Sequence, residues 1–275
     1  MNMSRTLAAP VATNPATKRC AAPWWLATVA GTVVLGAGAF FVDEYLAYLA
    51  SSWLIFGLLG LSLDMVWGRG GMLSLGQTAF FGLGGYAGSV AAINLASVTG
   101  NTLMWSLPVG AIVGAAAAGA VGWLLFHGRL GALQATILTY TVTLLLWTGS
   151  ISFSARFGDA VVGGDNGLSN IPGIVLGFGA DAQGLGPQGT FACVLAVSAL
   201  VLLGVRALLR SPFGTVVDCV RLDGPKTELL GYDVRRCQLV VFTLAGGIAA
   251  VDGEPRDDAG HAALQQWASG NALAT

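Results

Sequence analysis

Charged and metal-binding side chains are scarce in this 275-residue chain. Only 10% of its residues are charged, whereas soluble domains carry about 25%. Two histidines and four widely separated cysteines, with no CxxC pair, predict neither a metal site nor a disulfide framework. No basic patch with interleaved aromatic residues indicates nucleic-acid binding. A soluble fold of this length could not cover its surface with so few charges, so we expect a lipid bilayer as its solvent.

Apolar residues fill the chain instead. They make up 55% of it, and the mean hydropathy is +0.71. A membrane-crossing helix needs about 20 apolar residues, and the uncharged runs predict an all-α, polytopic transmembrane bundle with about six spans. The predicted spans are residues 24–42, 46–67, 72–93, 102–126, 130–150 and 190–205, with a turn at 94–101 between the third and the fourth. One more apolar run, residues 239–251, has 13 residues and predicts a short, incomplete seventh segment.

Basic residues predict the orientation. If the N-terminus is cytoplasmic, eleven of the thirteen lysines and arginines fall on cytoplasmic segments, as the positive-inside rule requires. We therefore expect a cytoplasmic segment at residues 1–23 and a transmembrane domain at residues 24–251, with a large cytoplasmic loop at 206–236. Because the first apolar run is longer than a signal-peptide core and no cleavage site stands out, we expect an uncleaved first helix.

The most unusual stretch, WGRGGMLSLGQTAFFGLGGYAGS at residues 67–89, has eight glycines in 23 residues. Its GLGGYA matches a dinucleotide-binding fingerprint, but the acidic residue expected about 20 positions later is missing. Gly84 and Gly88, with Gly85 beside them, instead form a small-xxx-small face. Small residues let membrane helices approach closely, so these three glycines predict helix packing.

Glycines between residues 68 and 71 are expected to break the helix that ends at Trp67. Ser74, Gln77 and Thr78 then follow among apolar neighbours. Broken segments occur at membrane depth only where protein or a water-filled cavity satisfies their backbone. Two interpretations stay open for these three polar residues: tight packing, or the lining of a translocation path or gate.

Asp64 is the only acidic residue inside a predicted span. A carboxylate at a helix centre costs about 2.5–3.5 kcal/mol on insertion scales. Its position near the cytoplasmic end would reduce that cost, through snorkelling or pairing with Arg69. The residue has two open interpretations: a structural ion pair or cap, or a part of the transport path or gate.

The stretch LGLSLDMVWGRGGMLSLGQTAFFGLGGYAG resembles the signature of ABC-importer permeases of the branched-chain amino acid type. Three later stretches resemble the family's mid-chain span, external loop, and cytoplasmic loop with the next helix: ILTYTVTLLLW, VVGGDNGLSNIPGIVLGF and SPFGTVVDCVRLDGPKTELLGYDVRRCQLVVFTLAGGIAA. Within the family, LSLDMVWG, GGDNGL and LGYD…VFTLAG look most like urea-importer permeases. Urea is therefore favoured over branched-chain amino acids, and both stay open as solutes.

The resemblance implies a multi-pass permease subunit of a bacterial inner membrane that needs no cofactor and is not itself an enzyme. The implied partners are a second homologous permease subunit, two cytoplasmic ATPase subunits that hydrolyse ATP, and a periplasmic solute-binding protein. A multi-pass membrane enzyme is disfavoured, because such enzymes cluster His, Asp or Glu at one depth for acid–base work. A passive channel would leave the charged cytoplasmic loop without a role.

The cytoplasmic loop resembles the element that couples such permeases to their ATPases. About residues 220–231 would form a short coupling helix, with Arg221, Asp223, Glu228 and Gly231 at motif positions. A solvated loop whose charges only anchor the topology is the alternative. Pro225 departs from a continuous helix, because proline fits the first turn and breaks the interior. Either the helix starts at Pro225 with Asp223 near its cap, or coupling is weakened.

Two regions outside the spans complete these expectations. Asp165 and Asn166 lie in a glycine- and Asx-rich external loop, where they would cap a helix, contact the binding protein, or serve only as turn residues. Residues 252–275 form a polar, atypical tail that begins with five charges in seven residues. Family members continue through further membrane helices, so we expect either a truncated, non-functional permease remnant or a shortened variant completed by a partner.

Overall fold

The structure is a computed structural model that describes residues 24–39, 43–99, 101–128, 131–163, 168, 175–176 and 183–251. Residues 1–23 and 252–275, for which a cytoplasmic segment and an atypical tail are predicted, lie outside these ranges. The helices in them are α1 (Trp24–Ala39), α2 (Glu44–Asp64), α3 (Gln77–Thr99), α4 (Leu103–His127), α5 (Ala132–Ser152), α6 (Pro187–Arg210), α7 (Pro212–Leu222), α8 (Gly224–Leu229) and α9 (Val234–Val251).

The predicted all-α transmembrane architecture is confirmed. Among the described residues, five helical stretches are long and apolar enough to cross a membrane: Glu44–Arg69, Leu103–His127, Leu133–Ser152, Pro187–Arg210 and Val234–Val251. The six predicted spans overlap α1 through α6, and four of these helices, α2, α4, α5 and α6, are among the five stretches. Apolar side chains on the outer faces of these helices are exposed, as they must be where lipid replaces water.

Helix α9 corrects the prediction of an incomplete seventh segment at residues 239–251. It begins five residues earlier, at Val234, and its 18 residues make it a candidate span. At 1.5 Å per residue it is roughly 27 Å long, close to the thickness of the hydrocarbon core. Arg235 and Arg236 ended the uncharged run in the sequence. At a helix end such long side chains reach the interface while their stems stay against apolar surface.

The predicted turn at residues 94–101 is too long, because α3 continues to Thr99. Asn94, which suggested a turn, is bonded within the helix and beyond it. Its Nδ2 donates to the carbonyl oxygens of Val90 at 2.8 Å and Phe157 at 3.0 Å, and its Oδ1 accepts from the Asp159 amide at 2.9 Å. A side chain with those partners is stable inside a helix.

Two small antiparallel hairpins lie between α5 and α6. Strands β1 (Ser154–Phe157) and β2 (Ala160–Gly163) pair across a turn in which Gly158 has φ +62°. Strands β3 (Val175–Leu176) and β4 (Gln183–Gly184) form the second pair. The bonds of Asn94 hold the first hairpin against the end of α3.

The core lies where α3, α4 and α9 pack together, while α6 packs against α1 and α2. Three rings fill its centre: Phe242 meets Phe80 edge to face at a centroid distance of 5.7 Å, and Phe126 at 6.1 Å. The buried face of α4 repeats every four residues. It is made of small side chains at Ser106, Gly110, Gly114, Ala118 and Gly122, and it ends in the large side chains of Leu125 and Phe126. Such a face lets α3 and α9 approach its backbone.

Candidate functional site

The helical structure is interrupted between α2 and α3. Helix α2 runs into a π-helical turn, Met65–Arg69, and residues 71–76 then have no regular structure. The Gly70 amide donates to the Met65 carbonyl at 3.0 Å, which closes the turn. Gly71 has φ +70°, a conformation that glycine adopts readily. The expected break is therefore present, and π-helical turns are frequent at functional sites.

A row of threonines on α5 bonds the backbone of the broken segment. Thr136 Oγ1 donates to the Leu73 carbonyl at 2.9 Å. Thr143 Oγ1 lies 3.0 Å from the Leu75 carbonyl and 3.0 Å from the Thr139 carbonyl of its own helix, so these two oxygens share its single proton. Between them, Thr139 Oγ1 accepts from the Leu75 amide at 3.2 Å. These bonds meet the requirement that protein satisfy irregular backbone at membrane depth. This row was not predicted from the sequence, although the i, i+3, i+7 spacing of its threonines in TILTYTVT (residues 136–143) is a detectable polar stripe.

The three polar residues near the break do not share one environment. Ser74 and Gln77 are buried, and Ser74 Oγ accepts from the Gly76 amide at 3.2 Å. Both amide atoms of the Gln77 side chain lack a hydrogen-bond partner among the described residues. Thr78 is exposed and lines a cavity between α3 and α5. The structure therefore separates Thr78 from the other two.

This cavity has a volume of about 850 Å³. Its α3 wall includes Thr78, Gly82 and Tyr86, and its α5 wall includes Thr143 and Trp147. Almost all of the lining is apolar, with a few hydroxyl groups from the threonines and Ser150. Large, mostly apolar concavities with a few polar groups are the usual form of small-molecule sites.

A second cavity, of about 650 Å³, lies where the π-helical turn meets α7. Four charged side chains line it, from Asp64, Arg69, Asp218 and Arg221. The structure therefore brings together two residues that the sequence assigned to different roles: Asp64, a path or gate candidate, and Arg221, a coupling candidate. The stem of Arg221 also packs on Gly71, where its Cγ would lie 3.5 Å from an added Cβ.

Pairing between Asp64 and Arg69 is not what the structure shows. Arg69 Nη1 lies 3.2 Å from Asp218 Oδ1, which is 149 residues away in sequence. Asp64 is exposed, and its carboxylate lies over Gly68, where an added Cβ would overlap it. The π-helical turn directs Arg69 toward α7 rather than back along α2.

The predicted coupling helix at residues 220–231 is two helices with a corner at Asp223. Asp223 caps α8: its Oδ1 accepts from the Lys226 amide at 3.2 Å, and its Oδ2 lies 2.7 Å from Lys226 Nζ. These bonds to Lys226 lower the pKa of Asp223. Pro225 falls in the first turn of α8, so the structure takes the first of the two expected arrangements.

The C-terminal end of α8 explains why glycine occupies another motif position, residue 231. Gly231 has φ +89°, and its amide donates to the Glu228 carbonyl at 2.9 Å. This geometry ends a helix and favours glycine. Glu228 itself is exposed beside Leu229 and Leu230, whose side chains are 88% and 73% exposed.

Two of the three glycines predicted to pack helices, Gly84 and Gly88, lie on the inner side of α3. A Cβ at Gly84 would overlap Ala250 of α9, and one at Gly88 would lie 3.0 Å from the Ser106 carbonyl oxygen of α4. Gly85 is half-buried, and its carbonyl accepts from Ser89 Oγ at 2.7 Å. In the external loop, Asp165 and Asn166 lie outside the described residues.

Comparison with known proteins gives matches over most of the chain. The family described as the branched-chain amino acid transport system / permease component matches residues 45–253. The high-affinity branched-chain amino acid transport system permease protein LivM of Escherichia coli is 27% identical over 248 residues, which cover 82% of this chain and 55% of that protein. LivM of Salmonella typhimurium is 27% identical over 244 residues, which cover 80% and 54%. The chain thus spans about half the length of these curated relatives. No solved structure matches.

Proposed function

The chain belongs to the family of permease components of branched-chain amino acid transport systems, and we propose that it forms part of the translocation path of an ATP-driven importer for such amino acids. The observation that carries this proposal is the apolar cavity of about 850 Å³ between α3 and α5. An aliphatic side chain gains about 0.8 kcal/mol for each CH₂ group that leaves water for such a wall.

Urea suits this cavity less well. Every heavy atom of urea except its carbon forms hydrogen bonds with water, and an amide-like group that loses those bonds costs several kcal/mol. The hydroxyls of Thr78, Thr143 and Ser150 could replace only a few of them. The sequence resemblance favoured urea, whereas the relatives found by comparison are named for branched-chain amino acid transport. The relatives support an amino acid, and the apolar lining suits its aliphatic side chain, whereas its charged ammonium and carboxylate groups must stay in water or reach polar partners beyond this lining.

The path candidates take separate roles in this proposal. Thr78 faces the cavity and is the residue we expect closest to the solute. Asp64 lies at the charged cavity and would act at the cytoplasmic gate. Ser74 and Gln77 lie buried behind the wall, where they would shape the path rather than line it.

The corner between α7 and α8 is the surface proposed to receive an ATPase subunit. Leu222 at the end of α7 and Leu229 and Leu230 at the end of α8 are among the most exposed apolar side chains described, yet they lie outside the candidate spans. Contiguous apolar groups exposed to water mark protein interaction sites. Arg221, Asp223 and Glu228 are next to these leucines in sequence and carry charges of both signs, as residues at the rim of an interface do.

The family and the charge distribution support our proposals for the remaining partners and for the orientation. The chain is a multi-pass membrane protein, and we propose a bacterial inner membrane with the N-terminus in the cytoplasm. A second homologous permease subunit would complete the path, and two ATPase subunits would hydrolyse ATP for it. A periplasmic solute-binding protein would dock on the external loops, where Asp165 and Asn166 are candidate contacts.

Uptake into proteoliposomes tests the solute. The chain would be reconstituted with the second permease, the ATPase subunits and the binding protein of its source organism. We expect ATP-dependent uptake of labelled leucine that valine and isoleucine compete away, and no uptake of labelled urea. Saturable urea uptake that leucine does not inhibit would overturn the proposed solute. Omitting ATP, or the binding protein, gives the matched background.

A further inference from the structure

The π-helical turn and the broken segment at residues 71–76 together contact two different helices, and the two contacts lead to different functional surfaces. One contact leads to α7 and the corner proposed for the ATPase. The other leads to α5, which forms one wall of the apolar cavity. Neither contact is predicted by the local sequence, since both join residues more than 60 positions apart.

The contact with α7 has a polar and a packing part. Arg69, the last residue of the π-helical turn, pairs with Asp218 in the middle of α7 at 3.2 Å. One residue beyond the turn's closing amide, Gly71 packs on the stem of Arg221 near the end of α7. Helix α7 leads directly through Asp223 into α8. A displacement of the α7–α8 corner would therefore act on the beginning of the broken segment.

The contact with α5 is the threonine row. Helix α5 is the least buried of the candidate spans, and α3 is its main helical neighbour among the described elements. Leu133, Ile137 and Leu145 are exposed on its surface. The bonds from Thr136, Thr139 and Thr143 to the broken segment are thus a major part of what positions α5.

We propose that Thr136, Thr139 and Thr143, together with the Arg69–Asp218 pair, are positioning residues that connect α7 to the α5 wall of the solute cavity through residues 71–76. This inference rests on the proposed function, because it assigns the route by which movement at the ATPase-facing corner reaches the solute path. Irregular backbone suits this role, since its hydrogen bonds to α5 and its packing against α7 can shift without unwinding either helix.

A purely structural role would give the same bonds, so the test must read out movement of α5 rather than stability. A single cysteine at Ser150→Cys, in the full chain with its native cysteines replaced, reports on the cavity wall. Its rate of reaction with a membrane-impermeant maleimide is measured in membranes. We expect Asp218→Asn to change that rate about three- to fivefold, the size typical of substitutions along coupled networks.

Two further arms make the result specific to this route. The charge exchange Arg69→Asp with Asp218→Arg should return the rate to that of the parent. In the background Thr136→Val/Thr139→Val/Thr143→Val, Asp218→Asn should cause no further change in the labelling rate, because the hydrogen bonds between the broken segment and α5 are already absent. If that triple variant does not accumulate in membranes, Thr143→Val alone should reduce the effect of Asp218→Asn.

The matched controls are Arg236→Gln and Thr141→Val. Arg236 pairs with Asp233 within its own helix turn, and Thr141 Oγ1 donates to Ile137 of its own helix. Both controls should leave the labelling rate and its response to Asp218→Asn unchanged. An unchanged rate in Asp218→Asn, or an equal change in Arg236→Gln, would overturn the proposal. Because labelling needs neither ATPase nor solute, failure of leucine uptake would be a separate result.

Discussion

Glycine has different structural roles in two neighbouring regions of this chain. At the junction of α3, α4 and α9, glycines remove side chains so that backbones meet: a Cβ at Gly84 would overlap Ala250, and one at Gly110 would lie 3.0 Å from the Gly84 carbonyl oxygen. At the break, Gly71 instead supplies a positive φ and redirects the chain. The first region is regular helix throughout, whereas the second includes six residues, 71–76, that are neither helix nor strand.

The difference lies in where backbone hydrogen bonds go. In the junction the helices satisfy their own backbone except near Pro108 of α4, so contact between them depends chiefly on the small size of the facing side chains. At the break the backbone needs outside partners, and α5 supplies three hydroxyl groups. We therefore expect added atoms in the junction, and lost hydrogen bonds at the break, to lower the free energy of unfolding.

The largest expected effect comes from adding a methyl group in the junction. Gly84→Ala places a Cβ against the backbone of Ala250, and overpacking of this kind should reduce the free energy of unfolding by about 3 kcal/mol. Unfolding in mixed detergent micelles measures it. Gly60→Ala is the matched control, because nothing lies within 4 Å of a Cβ at Gly60. Equal stability of the two variants would contradict close packing.

Gly114→Ala sharpens the same point, since its added Cβ would meet the Cβ of Ala250. The double variant Gly114→Ala/Ala250→Gly should recover most of the stability that Gly114→Ala loses. The double variant Gly84→Ala/Ala250→Gly should recover a smaller share of the lost stability, because the Cβ added at residue 84 also meets backbone atoms of residue 250.

Removing one hydroxyl tests the break. Thr139→Val keeps the side-chain shape but leaves the Leu75 amide without its partner at a site where Thr139 is 1% exposed. The expected loss is about 1–2 kcal/mol in the same unfolding assay. Thr141→Val, on the same helix, should stay within about 0.5 kcal/mol of the parent. A loss in Thr141→Val as large as that in Thr139→Val would show that the row has no special role.

Substituting Gln77 tests whether a buried polar group next to the broken segment lacks hydrogen-bond partners. Both of its side-chain amide atoms are buried without a hydrogen-bond partner among the described residues. Gln77→Met removes a buried amide and should leave stability unchanged or raise it by up to about 1 kcal/mol. A clear loss of stability would mean that the amide has a partner, such as a buried water.

The smallest expected effect on stability is that of the Arg69–Asp218 pair. Both side chains are nearly half exposed, and pairs of this kind contribute about 0–1 kcal/mol. Asp218→Asn should therefore lower the free energy of unfolding by about 0.5 kcal/mol or less, and by less still in 1 M salt, which screens exposed charges. A loss of several kcal/mol would show that the pair holds the fold together.

The two regions also differ in how far sequence alone could predict them. Apolar runs predicted the positions of α2, α4, α5 and α6, and the glycine cluster predicted the break. These features are local, because they depend on hydropathy and on the conformational freedom of single residues. The start of α9 was missed, since Arg235 and Arg236 interrupt the apolar run that was used to delimit it.

The site was less predictable because its contacts join distant parts of the chain. Arg69 has a carboxylate five residues before it, yet its partner is Asp218, 149 residues away. The threonines of α5 bond a segment more than 60 residues earlier. A hydropathy scan shows that such residues are polar within an apolar helix, but it does not show which backbone they meet.

Filling the cavity proposed to hold the solute tests the central claim most directly. Gly82 lines the cavity on α3 with open space beside it, and Gly60 faces outward on α2 with equally open space. In the reconstituted importer, Gly82→Leu should reduce ATP-dependent leucine uptake about tenfold or more, since one misplaced apolar group in a pocket costs that much discrimination. Gly60→Leu should leave uptake at the parent level. Equal uptake by the two variants would contradict the assignment of this cavity to the translocation path.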